Sequence, residues 1–190
     1  MAKRYEEDKS GIESNTVGVY RTAATVKGGR RFSFSGMVVC GDRKGRVGLG
    51  YGKANQVPNA IEKAQKKAKQ AMRSFPLTGT TIPHQVTGRF GACTVRLVPA
   101  SPGTGVIAGA AVRAVLDLVG VKDCLSKAYG STNNKNLTKA VIDGLRQLRS
   151  REQVESLRKI TIDKTHIEEA HSLAPEFGEA DVEVVAEASE

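Results

Sequence analysis

Residues 26–54 read VKGGRRFSFSGMVVCGDRKGRVGLGYGKA. Short apolar runs alternate with glycine-bearing tips, which is the pattern of a small sheet of hairpins. Positive charge collects at those tips, at Lys27, Arg30, Arg31, Arg43, Lys44, Arg46 and Lys53. Turns of this kind are aimed at polyphosphate, so nucleic acid is the first partner to consider.

Three β-type runs start at Thr16: Val17 to Val26, Phe32 to Cys40 and Arg46 to Tyr51. Gly28-Gly29 separates the first two, and Gly41-Asp42-Arg43-Lys44-Gly45 the last two. They predict an antiparallel meander. The clearest helix follows, at about Val57 to Phe75, with Pro58 in its first turn and Pro76 as its stop. Its alanines share an apolar arc with Ile61, Met72 and Phe75, and allow close approach to the sheet. Lys63, Lys66, Lys67, Lys69 and Arg73 lie opposite, as a second binding surface or a merely solvated face.

Residues 77–83 read as a linker or short strand. A second unit then opens with a hairpin, His84 to Thr87 and Ala92 to Val98, around Gly88-Arg89-Phe90-Gly91. PASPGTG leads into an almost wholly apolar helix, Val106 to Val119, interrupted by Arg113 and Asp117 and stopped by Gly120. A strand at Asp123 to Tyr129 and a helix at Asn136 to Leu148 complete it. The domain reading is a mobile arm at 1–15, a β-β-β-α unit at 16–80, an α+β unit at 81–165 and an acidic, disordered tail at 166–190.

Charge sharpens the partner class. The net +9 hides a body near +17, because residues 166–190 contain eight acids and no Lys or Arg. Aromatic residues are only 5% with no Trp, which argues against a platform that stacks a run of single-stranded bases. Cys40, Cys93 and Cys124 are odd in number and far apart, so they read as buried apolar residues in a reducing cytosol. No metal set, cofactor or membrane span is expected.

Two glycine motifs invite an enzyme reading. Gly48-x-Gly50-x-Gly52-Lys53-Ala54 lacks the hydroxyl residue that follows Lys in a P-loop. Alternating glycines instead leave one strand face bare for a helix or an RNA backbone. Gly103-Thr104-Gly105-x-x-x-Gly109 sits between a strand and a helix, as in a dinucleotide site, but its spacing departs from that fingerprint. A nucleotide-binding enzyme or switch using Gly103–Gly109 remains the alternative. The histidines, serines and acids form no catalytic constellation in sequence.

VKGGRRFSF, GDRKGRVGLGYGKA and PASPGTGVIAGAAVRAVLDLVGVKDCLSKAYGSTN, in that order over about residues 14–150, closely resemble the bacterial-type small-subunit ribosomal protein five family. The resemblance implies an α+β protein of two domains. The first is similar to a double-stranded-RNA-binding domain without its first helix. The second is a small two-layer unit with a left-handed crossover. It also implies a cytoplasmic, non-enzymatic component of the small ribosomal subunit. Such a protein contacts small-subunit ribosomal RNA, lies beside ribosomal proteins four and eight, lines the path where messenger RNA enters, and supports decoding accuracy and message unwinding. The expected RNA-binding residues are Lys27, Gly28, Gly29, Arg30, Arg31, Phe32, Arg43, Lys44, Arg46, Lys53, Lys63, Lys66 and Lys67. The loop matching Val26 to Phe32 lies near the spectinomycin site in that family. Gly103, Gly105 and Arg113 fall in the region that meets protein four.

Overall fold

The computed structural model of the chain describes residues 6–7, 11–163 and 165–173. Its first sheet runs β1 (Glu6–Glu7), β2 (Glu13–Val26), β3 (Gly29–Gly41), β4 (Arg46–Ala54) and β5 (Arg73–Ser74), antiparallel throughout. Helix α1 (Val57–Gln70) bridges β4 and β5, with Pro58 in its first turn, where a missing N–H matters least. Lys67 and Lys69 in its last turn complement the helix dipole. The sheet draws in Glu6–Glu7 and Glu13–Asn15, which the sequence reading assigned to a mobile arm, because they pair with β2 and β3.

The alternating glycines of β4 decide how α1 sits. A Cβ on Gly50 would lie 2.6 Å from Ala68 N and closer still to Ala64 O. One on Gly52 would press on Ala60 O and Ala64 N, and one on Gly48 on Ala68 O and Met72 N. Ala60, Ala64 and Ala68 are fully buried above them. The spacings match: two residues of strand advance about 6.7 Å, and four residues of helix about 6 Å. The bare strand face is therefore covered by α1, and neither a nucleotide nor RNA has access to it.

The second sheet has the order β6 (Val86–Phe90), β7 (Cys93–Pro99), β9 (Cys124–Gly130), β8 (Val106–Ile107). Strand β8 passes through α2 (Ala110–Val119) to β9, which it pairs in parallel. Helix α3 (Asn134–Gln147) follows, N-capped by the Asn133 side chain, which accepts from Lys135 N–H at 3.1 Å. Helix α4 (Arg151–Arg158) starts on a Ser150/Gln153 capping box. Together the two sheet–helix units make an α+β protein.

Several boundaries differ from those expected. Helix α1 ends at Gln70, short of Phe75 and Pro76, because Arg73 and Ser74 turn back to pair with Val47 and Arg46 as β5, which takes Arg73 off the helix face. The apolar helix starts at Ala110, because Val106 and Ile107 pair with β9. The hairpin turns at Gly91-Ala92, with Gly88–Phe90 inside β6. Gly88 is there because α3 crosses it, leaving a Cβ only 2.5 Å from Gly144 N. Helix α5 (His166–Leu173) occupies the start of the expected disordered tail. His171 anchors it, with Nε2 2.9 Å from Ala100 O and Nδ1 3.0 Å from Thr80 Oγ1. Residues 174–190 lie outside the described residues.

One apolar core joins the units. Val39 and Val47 from the first sheet pack in the same cluster as Val95, Leu97, Val115, Leu116 and Val141 from the second unit. The opposite face of the first sheet gives Val38 and Cys40 to α1. Over its inner part, the first sheet therefore lies between α1 and the second unit.

Candidate nucleic-acid interface

The β2–β3 hairpin outreaches its neighbours. Strand β4 pairs with β3 only from Phe34 onward, so residues 22–33 form a two-stranded ribbon projecting about 20 Å past the sheet. Its side chains are exposed apart from the half-buried Thr22 and Ser33. The tip is the two-residue turn Lys27-Gly28, where Gly28 adopts φ +89°, a conformation L side chains rarely reach. Gly29 is already the first residue of β3.

Alternation puts the two arginines on opposite faces, not in one fork. Arg30 and Phe32 share the α1 side with Arg21, whose guanidinium lies 4.7 Å from the Phe32 ring centroid. Arg31 shares the other side with Ser33 and Ser35, and Lys53 pairs across from Ser35. The ribbon thus offers cations on both faces. Nothing in the sequence marks Arg21, which lies mid-run; it pairs with Phe34 and reaches Phe32 diagonally across the two strands.

The second basic tip sits at the opposite end of the sheet. Its backbone caps α2: Arg43 N–H donates to Leu118 O at 3.1 Å and Gly45 N–H to Val119 O at 2.8 Å. Arg43 takes φ +55°, and its guanidinium donates to Glu13 at 2.7 Å. The Asp42 carboxylate accepts from the N–H groups of Lys44 and Arg46. The Lys44 and Arg46 side chains remain exposed. This turn is first a joint between units, and only its outer side chains can reach a ligand. Lys63, Lys66 and Lys67 form a third exposed group on the outer surface of α1. The expected site residues therefore fall in three places.

The Gly103–Gly109 turn is differently occupied. Gly103 and Gly105 have φ +85° and +75°. Gly105 N–H donates to buried Asp123 at 2.9 Å, and Thr104 N–H to Ser101 O at 3.2 Å. A carboxylate behind the loop opposes a phosphate, so the geometry is poor for a nucleotide. Arg113 donates to Val106 O at 2.7 Å and borders an open groove with Gly105 and Ile107.

All three cysteines are buried thiols, and burial raises Cys40 and Cys124 to about 11. Among the described residues, no cluster of three or more His, Cys, Asp or Glu is placed to hold a metal. No helix among them is long and apolar enough to cross a membrane.

An α+β protein of two sheet–helix units, displaying basic side chains on a projecting ribbon, is the class this geometry defines. The family model for ribosomal protein S5, N-terminal domain, matches residues 12–76, and that for its C-terminal domain matches 88–158. Small ribosomal subunit protein uS5 of Rhodopirellula baltica is 52% identical over 155 residues, covering 82% of this chain and 88% of that protein. The Rubrobacter xylanophilus protein of that name is 54% identical over 153 residues, 80% of this chain and 76% of its own. The one from Psychromonas ingrahamii is 46% identical over 164 residues, 86% and 98% respectively. The chain belongs to the ribosomal protein S5 family.

Proposed function

We propose that this chain is a structural, non-enzymatic component of the small ribosomal subunit, working in the cytoplasm, and that it grips small-subunit ribosomal RNA mainly through the β2–β3 ribbon. The observation that carries the reading is the ribbon itself: about 20 Å of exposed two-stranded arm with Arg30 on one face and Arg31 on the other. An isolated ribbon of this kind is only marginally stable, so an RNA cleft closing on both faces supplies the missing support. Phosphate contacts of this type fix position and orientation; they do not read sequence.

The finer roles follow from family membership and are part of the same proposal. Lys44, Arg46, Lys53 and the α1 lysines give secondary RNA contacts. The surface at Gly103, Gly105 and Arg113 meets ribosomal protein four, and protein eight is a further neighbour. The ribbon and its surroundings border the messenger-RNA path and support decoding accuracy. Footprinting of small subunits reconstituted with the full chain tests the main claim. Lys27→Ala/Arg30→Ala/Arg31→Ala should erase one local RNA footprint and leave incorporation reduced but detectable. Subunits with an unchanged footprint would refute the ribbon's role.

A further inference from the structure

Between the first sheet and helix α3 lies a cleft of about 280 Å³, formed by residues of both units. Its floor is apolar: Val47 and Leu49 from β4, Phe75, and Ile142 from α3. Its rim is cationic. Arg73 comes from edge strand β5, while Lys139 and Arg146 come from one face of α3 at i and i+7. Among the described residues, the Arg73 and Arg146 side chains make no ion pair or hydrogen bond. Phe90, 40% exposed at the end of β6, stands beside them, with Lys139 Nζ 4.6 Å from its ring centroid.

We propose that this cleft holds one unstacked nucleotide of the RNA that the chain binds. The base lies on Phe90 and the apolar floor, and its phosphate lies among Arg73, Lys139 and Arg146. The inference rests on the RNA-bound reading above and adds a site that reading does not contain. The volume is close to the lower bound of about 300 Å³ for small-ligand sites, which suits one base and not a stack. An aromatic ring beside cations with no anionic partner is the chemistry that takes an unstacked base with its phosphate. Asp143 is the one acid lining the cleft. Its Oδ2 accepts from Arg89 N–H and Gln147 Nε2, each at 3.1 Å. Its Oδ1 is left to accept from an exocyclic amine, so adenine, guanine or cytosine fits better than uracil.

The test is chemical probing of RNA in small subunits reconstituted with full-length chain. Wild type should protect one unpaired nucleotide that is distinct from the footprint of the Lys27–Arg31 tip. Phe90→Ala removes a stacked base's partner and should lower local occupancy about 5- to 150-fold, exposing that nucleotide. Arg73→Gln/Arg146→Gln changes only exposed side chains, gives the same readout, and serves if Phe90→Ala misfolds. Exposure of the same nucleotide in both variants, with the tip footprint intact, supports the site. An intact tip footprint with no nucleotide responding to either variant overturns it and leaves the RNA-bound reading standing. Loss of both footprints already in wild type overturns both.

Discussion

Gly50→Ala is the sharpest test of how the first unit is built. The added methyl would stand 2.6 Å from Ala68 N and nearer still to Ala64 O, against an ordinary contact of 3.4–4 Å. Both obstacles are backbone, so no rotamer change relieves them; α1 must lift by about 1 Å. A gap of that size forfeits about a quarter to a half of each dispersion contact along the interface. Overpacking penalties run about 1–3 kcal/mol, and a clash with helix backbone belongs at the upper end. For a chain of this size, about 3 kcal/mol corresponds to a Tm lower by roughly 6–12 °C. Thermal melting by circular dichroism reads it. Gly29→Ala is the control, since it meets nothing within 4 Å and keeps an ordinary φ. Ala64→Gly should fail to rescue Gly50→Ala, because the clash is with the carbonyl and not the methyl. A Gly50→Ala protein melting within about 2 °C of wild type, or rescued by Ala64→Gly, would refute the close-packing argument.

Three further outcomes are expected. Arg30→Ala/Arg31→Ala should reduce the log–log salt slope of RNA binding by about 1.4–1.8, and each single change by about half of that, because the two side chains work on opposite faces; an unchanged slope in a filter-binding titration removes both from the interface. The folded state holds the Cys40 and Cys124 thiols protonated up to about pH 11, against an ordinary value of 9.0. The unfolded chain ionises first, so this stabilisation is whole below pH 9 and declines as pH rises to 11, by at most about 2.7 kcal/mol per thiol; Cys40→Ala/Cys124→Ala should flatten the decline in Tm over that window, and an equally steep decline would argue against it. Gly120→Ala should destabilise more than Arg43→Ala. The first forces a side chain into φ +99° against the Arg43 backbone, at about 3 kcal/mol or more. The second removes an exposed guanidinium that pairs with Glu13, and surface ion pairs are worth about 0–1 kcal/mol each. Urea unfolding midpoints in the reverse order would contradict the assignment of this turn as a joint.

Strand and helix order in the first unit was legible because local signals agreed there. Glycine-bearing turns, apolar runs and the Pro58 start all point the same way. What the β4 glycines face was ambiguous in sequence, since a phosphate loop and a close-packed strand both require glycine. The answer depends on Ala60, Ala64 and Ala68 arriving at matching spacing from the next element. The basic Gly41–Gly45 turn misled for a different reason. Charge is visible in sequence, but the backbone N–H groups of this turn cap α2, some 75 residues further on. Helix α5 was hidden by acidic composition, because the contact of His171 with Thr80 and Ala100 that anchors it is tertiary. The nucleotide-sized cleft was also out of reach, since Arg73, Phe90 and Arg146 converge only through tertiary contact.

The same packing explains where the basic surface can be. Along its inner part, the first sheet is covered by α1 on one face and by the second unit on the other. A guanidinium there would lose its hydration without a partner, a cost of several kcal/mol. The strands at those positions accordingly carry Val38, Val39, Cys40 and glycine. Past Phe34 the third strand is missing and neither face is covered, so Arg30 and Arg31, like Arg21 at the base of the ribbon, remain hydrated. An apolar ribbon in the same place would present unpaired strand edges and invite self-association. Charge on residues 21–31 therefore serves the free protein by keeping that edge soluble, and serves the assembled one by meeting phosphate. The two roles separate by measurement: Arg30→Leu/Arg31→Leu should raise concentration-dependent light scattering of the free protein at low salt, whereas Arg30→Gln/Arg31→Gln should weaken RNA binding with scattering unchanged. Equal scattering from both variants would leave phosphate contact as the ribbon charge's single role.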